Sequence, residues 1–174
     1  MGKIYHNPAV KLIVGLIFKN KDYLDKTKRL LIKRFGCIDF ESPVLDFNFT
    51  EYYKNEFGSG LKRVFISFKR LIPPQNISDI KILTNKFENK LSLKGKRNIN
   101  IDPGYLDMAK LVLATTKDFA HRIYLSKGIY AEVTLTFQNN TFKHKDWTYP
   151  DYRTPAYIDI LNSIRGIYAK QIKK

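Results

Sequence analysis

Leu12-Ile-Val-Gly-Leu-Ile-Phe18 is an unbroken apolar run rich in β-branched residues, bounded by Lys11 and Lys19. A run this short and this continuous reads as a strand covered on both faces, and therefore central in its sheet. Downstream of it, Asn20 can cap a helix whose apolar stripe is Leu24, Leu31 and Phe35, flanked by Thr27 and Leu30, with Gly36 as its left-handed stop. Leu45, Phe47 and Phe49 then alternate with Asp46, Asn48 and Thr50, the period of a half-buried strand, which Pro43 confines to an edge or a bulge. Gly58-Ser59-Gly60 turns the chain into a third strand, Val64-Phe-Ile-Ser-Phe68, which Pro73-Pro74 closes.

Asn76 is the expected cap of a second helix, with Asp79 in its first turn and Ile80, Leu83, Phe87 and Leu91 as its stripe. Lys94-Gly95 ends that helix, and Ile99 and Ile101 alternate with Asn98, Asn100 and Asp102 in a fourth strand. Strand–helix–strand–strand–helix–strand is the order of the ferredoxin-like split βαβ arrangement. Beyond Asp102-Pro-Gly104, read as a tight turn, Leu111-Val-Leu-Ala114 fits a strand or a helical turn equally. Arg122–Leu125 and Ile129–Gln138 read as strands joined at Ser126-Lys-Gly128, and Asn139-Asn140 turns the chain into Thr141–Lys145. Thr154-Pro155 starts the last helix. The expectation is one α+β domain over residues 1–174. It has a ferredoxin-like core at about 9–103, then an extension at about 104–174 made of an antiparallel hairpin region and a C-terminal helix.

The 174 residues carry 31 Lys and Arg against 16 Asp and Glu, a formal charge of +15. Such a surface draws polyanions, which makes nucleotides and nucleic acid plausible partners. The cations are spread along the chain, with Lys94-Gly-Lys96-Arg97 and Lys26–Arg34 the nearest approaches to a basic run, so scattered solubilising charge is the competing explanation. One cysteine excludes an internal disulfide framework and a zinc site built on several thiolates. No stretch reads as a membrane span, His6 stands where a myristoylation signal wants Ser or Thr, and a cytoplasmic location is expected.

Several chemistries are excluded by motif. There is no phosphate-binding G-x-x-x-x-G-K-[ST] loop, and Gly58-Ser-Gly60 lacks the third glycine of a dinucleotide fingerprint. His6, His121 and His144 are each followed by residues that rule out the two-histidine phosphoesterase pair. Arg63 stands where an RNA-recognition motif would want a stacking aromatic.

Reactive side chains concentrate between Asn98 and Arg153: Asn100-Ile-Asp102-Pro-Gly-Tyr105, Thr115-Thr-Lys117-Asp118-Phe-Ala-His121-Arg122, Glu132 and Tyr149-Pro-Asp151-Tyr152-Arg153. With Val14-Gly-Leu-Ile-Phe18, Phe35-Gly-Cys-Ile-Asp39, Thr50-Glu-Tyr-Tyr53, Phe68-Lys-Arg-Leu-Ile-Pro73 and Thr84-Asn85, these stretches resemble the bacterial and archaeal family of unknown function labelled DUF4416. The resemblance brings no activity with it.

Asp102 and Glu132 are candidate ligands of a divalent ion such as Mg²⁺, for which hard carboxylate oxygens are suited. His121 and Asp118 are candidate acid–base groups, and Lys117, Arg122, Arg153 and Tyr105 candidate phosphate or ligand contacts. The competing explanation pairs each acid with one of the surplus cations. The leading expectation is a module that binds a phosphate-bearing ligand, nucleotide or nucleic acid, with room for metal-assisted phosphotransfer or hydrolysis. The alternatives are a non-enzymatic interaction or assembly module, and nonspecific nucleic-acid binding through net charge.

Overall fold

The computed structural model describes residues 2–3, 7–49 and 59–173. Thr50–Tyr53, Gly58 and His6 lie outside them. The sequence folds into a mixed α+β structure in the order β1 (Lys11–Phe18), α1 (Lys21–Phe35), β2 (Ile38–Glu41), β3 (Leu45–Asp46), β4 (Lys62–Phe68), α2 (Ile77–Lys90), β5 (Ile99–Leu106), β6 (Lys110–Thr115), β7 (Arg122–Ser126), β8 (Ile129–Gln138), β9 (Thr141–His144) and α3 (Pro155–Ile172). All nine strands join one sheet in the order β2-β4-β1-β5-β6-β8-β7, with β3 on β4 and β9 on β8, and every pairing is antiparallel.

β1 is buried along its whole length, as a doubly covered central strand requires. Its even-numbered residues Leu12, Val14, Leu16 and Phe18 meet Leu24, Leu31 and Phe35 of α1 and Ile77 and Ile80 of α2. Ile13 faces the other way, into a second core built on Tyr157, Ile160, Leu161, Ile164 and Tyr168 of α3. Asn20 caps α1 by accepting from the Asp22 amide at 2.8 Å, and Gly36, at φ +91°, ends it. Thr154 caps α3, with Pro155 in its first turn.

The structure corrects the sequence reading in three places. The edge strand is chiefly β2, and the alternation at Leu45–Thr50 yields only the two-residue β3. That pattern arose because Phe47 and Phe49 pack on each other and Phe49 on Tyr157, an aromatic cluster beside the sheet. Asn76 caps nothing, because it sits with helical backbone angles in a 3-10 turn, Pro74–Asn76, that runs straight into α2. Asp102-Pro-Gly104 is not a turn, and β5 passes through it to Leu106.

Candidate functional site

The site forms where β5 and β6 part. β5 pairs with β1 from Ile99 to Leu106, but with β6 only from Gly104 to Leu106. The backbone edge of Ile99–Pro103 facing β6 therefore has no strand partner among the described residues. Side chains of α2 replace it: the Ile101 amide donates to Glu88 Oε1 at 2.5 Å, and the Ile101 carbonyl accepts from Lys81 Nζ at 3.1 Å. Pro103 shares that edge by the two-residue alternation of a strand, so its missing N–H leaves no ladder bond unmade. At Gly104 the strands close up so tightly that a Cβ would lie 2.4 Å from the Val112 carbonyl oxygen. Proline on the open edge and glycine at the pinch explain how a turn-like sequence builds a strand.

The opening is a cavity of about 750 Å³. On its floor lies Arg63 of β4, 1% exposed. Opposite it Gly15 gives room, since a Cβ there would stand 3.2 Å from the guanidinium carbon. The Phe47, Phe65, Tyr152 and Tyr157 rings surround that carbon at 4.9–5.8 Å. Arg63 Nη2 donates to the Tyr152 hydroxyl at 2.9 Å, and Asp102 and Asp151 approach its two amino groups at 3.5 and 3.7 Å. Arg63 Nε and the Tyr157 hydroxyl are buried without a hydrogen-bond partner among the described residues. Burial pushes the Asp151 carboxyl above its ordinary range, with Arg63 opposing the shift, and pushes the Tyr157 phenol up to about 12.

Asp102 also lies 3.6 Å from Lys81 and accepts from Asn100 Nδ2 at 2.7 Å. Glu88, whose carboxyl burial raises against the pull of Lys81 and the Ile101 amide, is 3.2 Å from Arg97 Nη1. The far wall comes from β6, β7 and β8. Register sets Glu132 beside both Leu113 and Arg122. The buried Glu132 accepts from Arg122 Nε at 2.8 Å and lies 3.2 Å from His121 Nε2. Arg122 continues outward, donating to the Lys117 carbonyl and to the Tyr149 hydroxyl, each at 3.0 Å.

Asp102, Lys117, Arg122 and Glu132 thus line one cavity, and His121 touches it through Glu132. The other sequence candidates lie elsewhere. Tyr105 packs on the opposite face of the sheet, against the core of α1 and α2. Arg153 braces the loop before α3, donating to the carbonyls of Thr148 and Asp146. Asp118 is exposed between β6 and β7 and does not line the cavity. Among the described residues, no three His, Cys, Asp or Glu side chains are grouped to hold a metal ion.

Arg63, Lys81, Glu88, Arg97 and Asp151 line the cavity and were not among the site residues nominated from the sequence. Arg63 had a signal, a charge immediately before the apolar run Val64–Phe68. Lys81 and Glu88 had a weaker one, lying seven positions apart and so on one side of α2.

An α+β protein whose large antiparallel sheet splits over a charged cavity is the class these observations define. Within it, the chain belongs to the DUF4416 family, a domain of unknown function, whose family model matches residues 8–168. No curated protein and no solved structure matches it.

Proposed function

We propose that this protein binds a phosphate-bearing ligand of nucleotide size in the cavity between β5 and β6. The observation that carries the reading is the cavity itself, about 750 Å³ and lined by Arg63, Lys81, Arg97, Lys117 and Arg122. A void of this size suits a small organic ligand, and exposed Lys117 with the Thr115 and Thr116 hydroxyls suits phosphate oxygens at its mouth. Asp102 and Glu132 both line it, so a divalent ion held there would complete its sphere with phosphate oxygens and water, the usual habit of Mg²⁺. Metal-assisted phosphotransfer or hydrolysis is the chemistry such an arrangement would serve, with the Glu132–His121 pair beside it as the proton-handling group. We also read β1, β2, β4 and β5 with α1 and α2 as a ferredoxin-like unit. β4 lies between β1 and β2, and β1 between β4 and β5, as a split βαβ requires.

Thermal unfolding with adenosine triphosphate, with and without Mg²⁺, tests the binding. Ligand at 100 times its Kd adds about 2.7 kcal/mol, an upward shift of about 5–10 °C for a chain this long. Lys117→Ala should abolish most of the shift. A wild-type protein that no nucleotide and no inorganic phosphate shifts would overturn the reading.

One observation favours a second reading, an interaction module. β7 is a terminal strand of the sheet, and Ile123, Tyr124 and Leu125 are exposed on it, Ile123 by 68%. Sedimentation across a hundredfold concentration range separates the two: a dimer that Ile123→Lys dissociates supports the module.

A further inference from the structure

Outside the cavity mouth, three rings form a ladder. His121 stacks on Phe119 at 5.8 Å and 27° and on Trp147 at 5.3 Å and 12°. Ring pairs of the core are edge-on instead, Phe65–Tyr157 at 82° and Tyr152–Tyr157 at 90°. The parallel ladder is also open to water, with Phe119 59% and Trp147 40% exposed. The indole N–H is engaged at the Val133 carbonyl and one indole face at His121, so what remains accessible is ring surface.

Two links tie the ladder to the cavity. Arg122 lines the cavity, and its guanidinium carbon lies 5.0 Å from the Phe119 ring centre. His121 shares Glu132 with Arg122. A ring stack with an open outer face, a guanidinium beside it and cations at the adjoining mouth are what a base and the flanking phosphates of an unpaired strand require. A mononucleotide would need only the cavity. An apolar peptide would need a pocket, whereas the ladder presents parallel faces on a chain of charge +15, which repels a basic partner and attracts a polyanion.

We propose that the Phe119–His121–Trp147 ladder is a base-stacking platform, and that the ligand whose phosphate reaches Lys117 is a single-stranded nucleic acid. The inference rests on the phosphate-binding reading of the cavity and names its ligand class. A base stacks on the exposed outer surface of the ladder, and the backbone runs over the cavity mouth.

Trp147 is the single tryptophan of the chain, so its fluorescence reports on the platform alone. A U12 oligoribonucleotide is titrated into the full-length protein while Trp147 emission and the anisotropy of a labelled U12 are followed. Saturable quenching is expected, with affinity about tenfold weaker in Phe119→Ala. Phe119 is exposed enough for this variant to fold. Trp147→Phe should retain most of the anisotropy change, and Trp147→Ala should lose it. If adenosine monophosphate raises the Tm but U12 does not quench, the platform is overturned and the cavity reading stands. If neither ligand acts, both fall. U12 binding that leaves Trp147 unquenched, vanishes at 200 mM salt and ignores Phe119→Ala is charge alone and overturns the platform. So does equal displacement of U12 by polyglutamate, the mark of an acidic-peptide surface.

Discussion

Arg63 sits where an alternating strand should present a hydrophobe, and the surrounding residues are arranged around that choice. Four aromatic rings enclose its guanidinium, two carboxylates lie just beyond hydrogen-bond reach, and Gly15 withholds a side chain so that it fits. Removing the cation leaves the buried Asp151 without its compensating charge. Arg63→Met should therefore cost about 3–5 kcal/mol by urea unfolding. Gly15→Ala tests the same packing from the other side. The rings and the Tyr152 hydroxyl hold the guanidinium in place, so the added methyl should cost about 1–3 kcal/mol. A neutral Gly15→Ala would mean that Arg63 swings freely into the cavity. The site was legible in the sequence to the extent that its residues were titratable and close together in the chain, as Lys117, Arg122 and Glu132 are. Arg63, Lys81 and Asp151 reach the same cavity from β4, α2 and the turn before α3, and no local pattern announces a meeting that only the sheet order brings about.

β5 shows the same limit at the level of the element. Strand periodicity at Ile99 and Ile101 was readable, because alternation reports a half-buried face. Its continuation through Asp102-Pro-Gly104 was not, because the tolerance of Pro103 depends on an absent neighbour and that of Gly104 on one that is too close. Gly104→Ala should accordingly destabilise by about 1–3 kcal/mol or more, since the obstructing atom at 2.4 Å is a backbone oxygen. Glu88, the substitute partner of the Ile101 amide, gives a prediction with a pH signature. Burial raises its carboxyl in the folded chain above the ordinary 4.5, so the native state holds the proton more tightly than the unfolded state. Stability from this group is then greatest below 4.5 and is lost as pH rises through the raised native value. Glu88→Gln keeps an acceptor for Ile101 and never ionises. Urea midpoints measured from pH 4 to 8 should fall less steeply for the variant than for wild type. Parallel curves would show that Glu88 ionises as readily inside as out.

For the molecule as a whole, the sequence disclosed the surplus of cations but not which of them are matched. The structure matches Lys11 to Asp39, Arg63 to Asp102 and Asp151, and Arg122 to Glu132, with at least one partner of each pair buried. Salt screens such pairs little, while it screens the mutual repulsion of surface lysines strongly. The Debye length falls from about 30 Å at 0.01 M to about 10 Å at 0.1 M. Raising NaCl over that range should therefore raise the Tm, because relief of a +15 self-repulsion outweighs the loss of exposed ion pairs. A falling Tm would mean that surface pairs such as Lys127–Asp79 hold more of the stability than their exposure suggests. The same titration separates general screening from a specific anion site. Chloride and phosphate at equal ionic strength screen alike, but phosphate also stabilises folded proteins by exclusion from their surface, so only the part of its extra rise that depends on the site measures binding. Lys117→Ala should lose that part, so that its phosphate and chloride curves lie closer together than those of the wild type.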